Sequence, residues 1–246
     1  MFKSAWQGFK QLVFPDHCAL CRVFLNDGRQ KQLCDACRAS IPFNVPPFCR
    51  LCPRRLEIFT PDGICRVCTV RAPSYDVGWS ACLYDESMRR LLHAFKYSGK
   101  TRLAPAFEGL LSAFIDTMHV PLNRFDFCLP VPLHPARLRE RGFNQSEILC
   151  VILRERHGLG VRGNILTRTR STEPQAALGA KERWTNLEGA FRINHSDAVA
   201  DKSVLIVDDL FTTGATAEAA SRALKEAGAA YAGILTLAIT SITPSK

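Results

Sequence analysis

The stretch VLIVDDLFTTGAT, residues 204–216, concentrates the residue types that bind a phosphorylated sugar. An apolar run of strand length ends in two adjacent carboxylates, Asp208 and Asp209. Thr212, Thr213, Gly214, Ala215 and Thr216 follow, and helix-forming composition begins at once. In open α/β sheets, ligands bind outside the carboxyl ends of the strands. The first turn of a helix offers an anion unpaired N–H groups and the positive end of a dipole. Gly214 lets the backbone come close to a ligand, and the three threonine hydroxyls can bond phosphate oxygens. The two aspartates would repel that phosphate, but they suit hydroxyl donors one sugar away. The pattern therefore describes a 5-phosphorylated ribose, with hydroxyls on Asp208 and Asp209 and phosphate on residues 212–216. Two simpler readings explain less. A Walker B strand needs a Gly-x-x-x-x-Gly-Lys-Ser/Thr partner, which the chain lacks. A helix capped by Thr213 accounts for one threonine and at most one aspartate.

The second chemistry is sulfur. Eight of eleven cysteines form four Cys-x-x-Cys pairs: Cys18/Cys21, Cys34/Cys37, Cys49/Cys52 and Cys65/Cys68. Cysteines three apart seldom form a structural disulfide, but they place two thiolates on one tight knuckle, and two knuckles surround a Zn²⁺ tetrahedrally. The first two pairs repeat 31 residues later, along with Pro15 on Pro46, Leu20 on Leu51, Leu33 on Ile64 and Pro42 on Pro73. This is a duplicated zinc ribbon with two structural Cys₄ sites. Pairing within each repeat is the default, and a crossed pairing stays open. His17 reads as an exposed neighbour. Cys82, Cys128 and Cys150 read as buried small hydrophobes.

These groups need a scaffold. Phe2, Trp6, Phe9, Leu12 and Val13 suggest a short helix over 2–14 that packs on its own protein. From residue 76 the chain alternates helices and apolar strands. Helices are expected at 86–97, 103–118, from Asn144 to Arg156 and at 215–227. Strands are expected at 125–131, 190–194, 204–209 and 231–240. LHPARLRERG, residues 133–142, reads as a Pro- and Arg-rich loop, and 169–182 also has loop composition. The apolar lead-in to Asp208 suits a central parallel strand buried on both faces. The expected fold class is α/β with a mostly parallel sheet, divided into a zinc module at 1–74 and a second domain at 75–246.

Composition excludes some alternatives. With 47% hydrophobic and 22% charged residues, global disorder is not expected. No apolar run reaches the roughly 20 residues of a membrane span, and no secretory h-region is visible. The formal charge is +9. Each zinc-loaded Cys₄ site carries a net −2, which brings the loaded chain near +5, so a global argument for nucleic acid is modest.

The carboxylate-threonine stretch resembles the motif by which type I phosphoribosyltransferases bind 5-phosphoribosyl 1-pyrophosphate (PRPP). FKYSGK (95–100), PVPLHPARLRERGFNQSEILC (130–150) and RTRSTEPQAALGAKERWTNLEGAF (168–191) resemble the ComF family of competence-associated proteins, also called ComFC or GntX. So do the knuckles after Phe14-Pro15. The resemblance spans nearly the whole chain, and Arg-Gly-Phe-Asn-Gln at 141–145 is its most specific part. Leu210-Phe211 is bulkier than the common pair there.

The resemblance implies a Rossmann-like type I phosphoribosyltransferase domain behind the double zinc ribbon. Asp208 and Asp209 would hold the ribose hydroxyls, and Thr212, Thr213, Gly214, Ala215 and Thr216 the 5′-phosphate. Arg137, Arg139 and Arg141 would face the pyrophosphate, with Mg²⁺ sharing its charge. Segment 169–182 corresponds to a mobile hood loop. No general base stands out. Three functions follow: a PRPP-dependent transferase; a module that handles single-stranded DNA during uptake for transformation; and a zinc module that docks a partner such as a competence helicase. A homodimer and a cytoplasmic location are further expectations. Chelation is expected to unfold the zinc module and to spare PRPP binding.

Overall fold

The computed structural model describes residues 17–25, 32–97, 101–170, 184, 185, 187 and 189–240. The helix expected over 2–14 lies outside these residues, as does the 169–182 segment beyond residue 170.

Each zinc ribbon is built from a knuckle and a short helix. α1 (Asp35–Ala39) follows Cys34, whose sulfur accepts from the Cys37 N–H at 3.4 Å. α2 (Arg66–Val70) follows Cys65. The duplication is visible in the backbone. The bridge between His17 and Phe24 recurs between Phe48 and Arg55. The Cys18 N–H bond to the Val23 carbonyl, 2.8 Å, recurs at 2.8 Å between Cys49 and Arg54.

The remainder is an α/β sheet. Its elements are β1 (Val77–Leu83), α3 (Glu86–Tyr97), α4 (Ala104–Met118), β2 (Phe127–Pro130), α5 (Pro135–Arg141), α6 (Gln145–His157), β3 (Leu166–Arg168), β4 (Phe191–Ile193), β5 (Ser203–Phe211), α7 (Ala215–Glu226) and β6 (Tyr231–Ile239). The main sheet runs β1-β6-β5-β2 and all its pairings are parallel. β5 and β6 lie at its centre, which is why VLIV at 204–207 is wholly apolar and wholly buried. β3 and β4 form a separate antiparallel pair, so the strand expected at 190–194 does not join the main sheet. β1 is an additional strand that the reading of periodicity did not assign.

Alternate residues of β5 feed two cores, as the two-residue period of a strand requires. Leu205 and Val207 pack with Met88, Phe95, Phe107, Phe114, Leu149 and Leu153 from α3, α4 and α6. Val204 and Ile206 pack with Ala220 and Leu224 of α7 and with Leu166 and Phe191 of the small hairpin. Cys82, Cys128 and Cys150 are fully buried in the first core. Burial pushes the Cys82 thiol up to about 12 and holds Cys150 well above its ordinary value.

The two ribbons part company here. Cys18, Leu20, Leu33 and Ile41 join the first core, whereas Cys49, Cys52, Cys68 and Tyr75 join the second. The module is tied to the sheet by backbone bonds from Asn44 to Ala81 (2.9 Å) and from Leu83 to Pro42 (2.8 Å). Gly78 of β1 leaves room for the second ribbon: a Cβ there would sit 2.8 Å from Cδ of Pro53.

The segment 133–142 departs from the expected loop. Pro135 begins α5 at a position that needs no N–H, His134 Nδ1 accepts from the Ala136 N–H at 3.3 Å, and Gly142 ends the helix at φ 76°. Pro and Gly here punctuate a helix rather than exclude one. No helix among the described residues is long and apolar enough to cross a membrane.

Candidate functional site

The two metal clusters are resolved by geometry. The sulfurs of Cys18, Cys21, Cys34 and Cys37 lie within 4.8 Å of one another, and so do those of Cys49, Cys52, Cys65 and Cys68. Pairing is therefore within each repeat, not crossed. Cys21 to Cys34 and Cys52 to Cys65 each span 3.7 Å. That is the edge of a tetrahedron whose centre lies ~2.3 Å from each sulfur, the Zn–S bond length, and far beyond the roughly 2.05 Å of a disulfide. Four sulfurs close each site, so these are structural zinc sites. His17 is exposed and stands outside the four-sulfur set.

The second site lies at the carboxyl end of β5. Successive strand residues point to opposite sides, and the two carboxylates diverge accordingly. Asp209 is buried and pairs with Lys96 Nζ at 2.5 Å. Asp208 Oδ1 accepts from the Ser146 hydroxyl at 3.1 Å and from the Asp209 N–H at 2.9 Å. Ser146 is held in place by the cap of α6: the Asn144 side chain accepts the Ser146 N–H at 3.0 Å and donates to the Val131 carbonyl at 3.0 Å. This gives Arg-Gly-Phe-Asn-Gln a physical role, because Gly142 stops α5 and Asn144 starts α6 beside the carboxylates.

Burial and the neighbouring charge of Asp209 push Asp208 up to about 7. The Asp209 N–H, Lys96 and Ser146 oppose that rise. Burial works against the charge of Lys96, but the Asp209 carboxylate more than offsets it and Lys96 is held above its ordinary value. Arg168 is held below its ordinary value, by burial and by the nearby charge of Arg137, against the pull of Asp208. Arg141 acts electrostatically on Lys96 and donates to Gln145 Oε1 at 3.3 Å. The carboxylates thus have Lys96 in contact and Arg168 within electrostatic reach, and these two cations feel Arg141 and Arg137 in turn. Of the three arginines expected to face an anion, Arg137 and Arg141 are half-buried toward this cluster, and Arg139 is exposed on α5.

The threonine turn connects β5 to α7. Gly214 has φ 92°, and a Cβ there would meet the Phe211 ring at 2.9 Å. Phe211 is buried beneath the turn, so the larger residue fills the floor of the loop. Thr213 Oγ1 accepts from the Ala215 N–H at 3.3 Å. The simpler reading of Thr213 as a local cap therefore holds for that one hydroxyl. Thr212 and Thr216 are half-buried, and with Asp208, Leu210 and Gly214 they line one concavity. An apolar strand, two carboxylates, a glycine-centred turn at a helix start and a surrounding set of cations can hold an anionic, polyhydroxylated ligand.

A double zinc ribbon domain model matches residues 9–71, and a phosphoribosyl transferase domain model matches residues 160–243. The chain is 31% identical over 222 residues to the DNA utilization protein YhgH of Salmonella typhimurium, covering 89% of this chain and 95% of that protein. The chain belongs to the ComF family. Competence protein ComFC of Bacillus subtilis is 30% identical over 207 residues, covering 81% of this chain and 80% of its own. Competence protein F of Haemophilus influenzae is 29% identical over 218 residues, covering 87% and 93%.

Within this ComF-family fold, sequence reasoning missed four site residues. Lys96 lies in the FKYSGK segment, whose resemblance assigns no role to its lysine. Ser146 follows Asn-Gln in the most specific motif. Arg168 opens the arginine-threonine run at 168–170. Arg54 sits between the knuckles of the second ribbon, where nothing in the local sequence points to the sheet.

Proposed function

We propose that the chain binds PRPP or ribose 5-phosphate and acts as a phosphoribosyltransferase of the ComF type, in DNA uptake or in nucleotide metabolism. One observation carries this reading: Asp208 and Asp209 lie at the end of β5, beside a helix-start threonine turn, with Lys96 paired to Asp209, Arg168 within electrostatic reach of Asp208, and Arg141 and Arg137 acting on those two cations. Carboxylates accept from ribose hydroxyls, the turn takes the 5′-phosphate, and the cations take the pyrophosphate. The phosphoribosyl transferase match and the relatives' names, "competence" and "DNA utilization", support the same reading. It includes a functional division at 1–74 and 75–246, and a reducing cytoplasm as the place where thiolate zinc sites persist.

Transfer would break the C1–O bond with its electron pair leaving on pyrophosphate, and an acceptor nucleophile would bond to C1. Mg²⁺ suits the hard oxygens of pyrophosphate and would supply part of the charge neutralisation. The chain's own contribution is positioning and electrostatics: Asp208 and Asp209 orient the ribose, and Lys96, Arg137, Arg141 and Arg168 stabilise charge on the leaving group. Calorimetric titration of zinc-loaded protein with PRPP and Mg²⁺ tests this. Binding that disappears in the Asp208→Asn/Asp209→Asn double variant is expected. Absence of binding to the parent protein rejects the reading.

A second, coexisting reading is that the zinc module contacts single-stranded DNA or a helicase. The second ribbon exposes Phe59 at 89% and Ile58 at 78%, beside exposed Arg55. An exposed aromatic suits base stacking. Phe59→Ala should weaken single-strand binding, and that binding should fall steeply with salt.

A further inference from the structure

Arg54 is a cation of the second zinc ribbon that is only 7% exposed. A buried guanidinium requires partners, and those of Arg54 are divided between the zinc site and the phosphate turn. One Nη–H donates to Cys52 Sγ at 3.5 Å. The other donates to the Thr213 carbonyl at 2.8 Å and to the Thr212 carbonyl at 3.5 Å. The guanidinium also lies over the Phe211 ring, 5.0 Å from its centroid. Its Nε–H is buried without an acceptor, so the charge depends on these few contacts. Phe211 is the same ring that Gly214 packs against. Zinc ligand, guanidinium, ring and glycine form one continuous stack beneath residues 212–214.

The zinc-ribbon fold does not itself demand this arginine. The repeat places Val23 at the equivalent position of the first ribbon. Val23 makes the same backbone bond to its knuckle, yet it is 50% exposed. Among the described residues, the second ribbon, which packs on the face that carries α7, reaches the turn and the first does not.

A phosphate turn works by directing N–H groups and hydroxyls at the anion, and its carbonyls must then face away. Arg54 holds two of those carbonyls, and it places a fixed positive charge beneath the turn. We propose that Arg54 is a positioning residue that couples the second zinc site to the phosphate turn, so that phosphoribosyl affinity depends on zinc at the second site and not on zinc at the first. Zinc folds the knuckle, the folded knuckle presents Arg54, and Arg54 sets the conformation of Thr212 and Thr213. The inference rests on the phosphoribosyl reading and reverses the expectation that chelation spares binding.

The test compares Arg54→Met and Arg54→Lys with Arg90→Met. Arg90 tethers the first ribbon, donating to the Leu20 carbonyl at 2.8 Å. Each variant is titrated with ribose 5-phosphate, its zinc content is measured, and amide hydrogen exchange is followed at residues 212–216. Arg54→Met is expected to lose about tenfold or more in affinity and to exchange faster at those amides, while zinc content and overall helicity are retained. Arg54→Lys should recover part of the affinity, and Arg90→Met should match the parent. If Arg54→Met binds as the parent does and its turn is equally protected, the coupling is wrong. If it unfolds, the exchange rates of Arg54→Lys decide by the same criterion. Parent protein that binds neither ribose 5-phosphate nor PRPP with Mg²⁺ instead rejects the phosphoribosyl reading, and the exchange comparison still decides the mechanical coupling.

Discussion

Lys96 near the end of α3 and Asp209 at the end of β5 form a 2.5 Å ion pair in a largely buried setting. The pair neutralises one of two adjacent carboxylates and leaves Asp208 as the group that carries the electrostatic cost of the site. It also gives the FKYSGK segment a place in the site that its own sequence does not reveal.

Replacing Lys96 by Met should therefore leave Asp209 buried without a cation. Removal of one partner of a buried pair costs on the order of 3 kcal/mol, measurable by urea denaturation. Affinity for PRPP should fall about tenfold or more, since a cation facing the leaving group is also lost. Unchanged affinity would reduce Lys96 to a structural role.

Asp208 sets a pH dependence. Its folded pKa of about 7 lies above its ordinary value of 3.8. Between those two values the unfolded chain has already released a proton that the folded chain retains, so stability falls as pH rises across this window and levels off above about 7. Asp208→Asn should raise Tm, with little difference near pH 4 and a gain that grows up to pH 7. PRPP affinity should rise through pH 7 in the parent, because the hydroxyls need an ionised acceptor, and the Asp208→Asn profile should be flatter.

Two glycines with positive φ separate backbone strain from steric contact. Gly142 has φ 76° and open space where a Cβ would stand, so Gly142→Ala should cost about 1 kcal/mol. Gly214 has φ 92° and the Phe211 ring at 2.9 Å, so Gly214→Ala should cost roughly 3 kcal/mol and abolish binding of ribose 5-phosphate. Equal costs in the two variants would show that the ring yields easily.

Metal analysis should find two zinc ions per chain, each in an all-sulfur tetrahedron by X-ray absorption. Cys21→Ser and Cys65→Ser should each lower the content to about one. The double variant Cys21→Ser/Cys49→Ser should lose both ions, whereas a metal shared by the first and third knuckles would leave one in place.

The sequence alone determined what depends on local spacing and composition. Paired cysteines at a repeat of 31 residues define two zinc ribbons, and an apolar strand that ends in Asp208-Asp209 before a glycine-centred turn marks the candidate site for which we propose a phosphorylated sugar. These are short-range patterns, and their chemistry follows from the residues themselves. The tertiary structure decided everything that joins distant segments. It paired the knuckles within each repeat, placed the two ribbons in different cores, turned the expected arginine loop into α5, and brought Lys96, Ser146, Arg168 and Arg54 to the carboxylates and the turn. Arg54 shows why. Its position in the repeat is equivalent to that of Val23, and both make the same backbone bond. Only the packing of the second ribbon against α7 gives this guanidinium two carbonyls and a ring to hold, and no local pattern specifies which face of a sheet a module will cover.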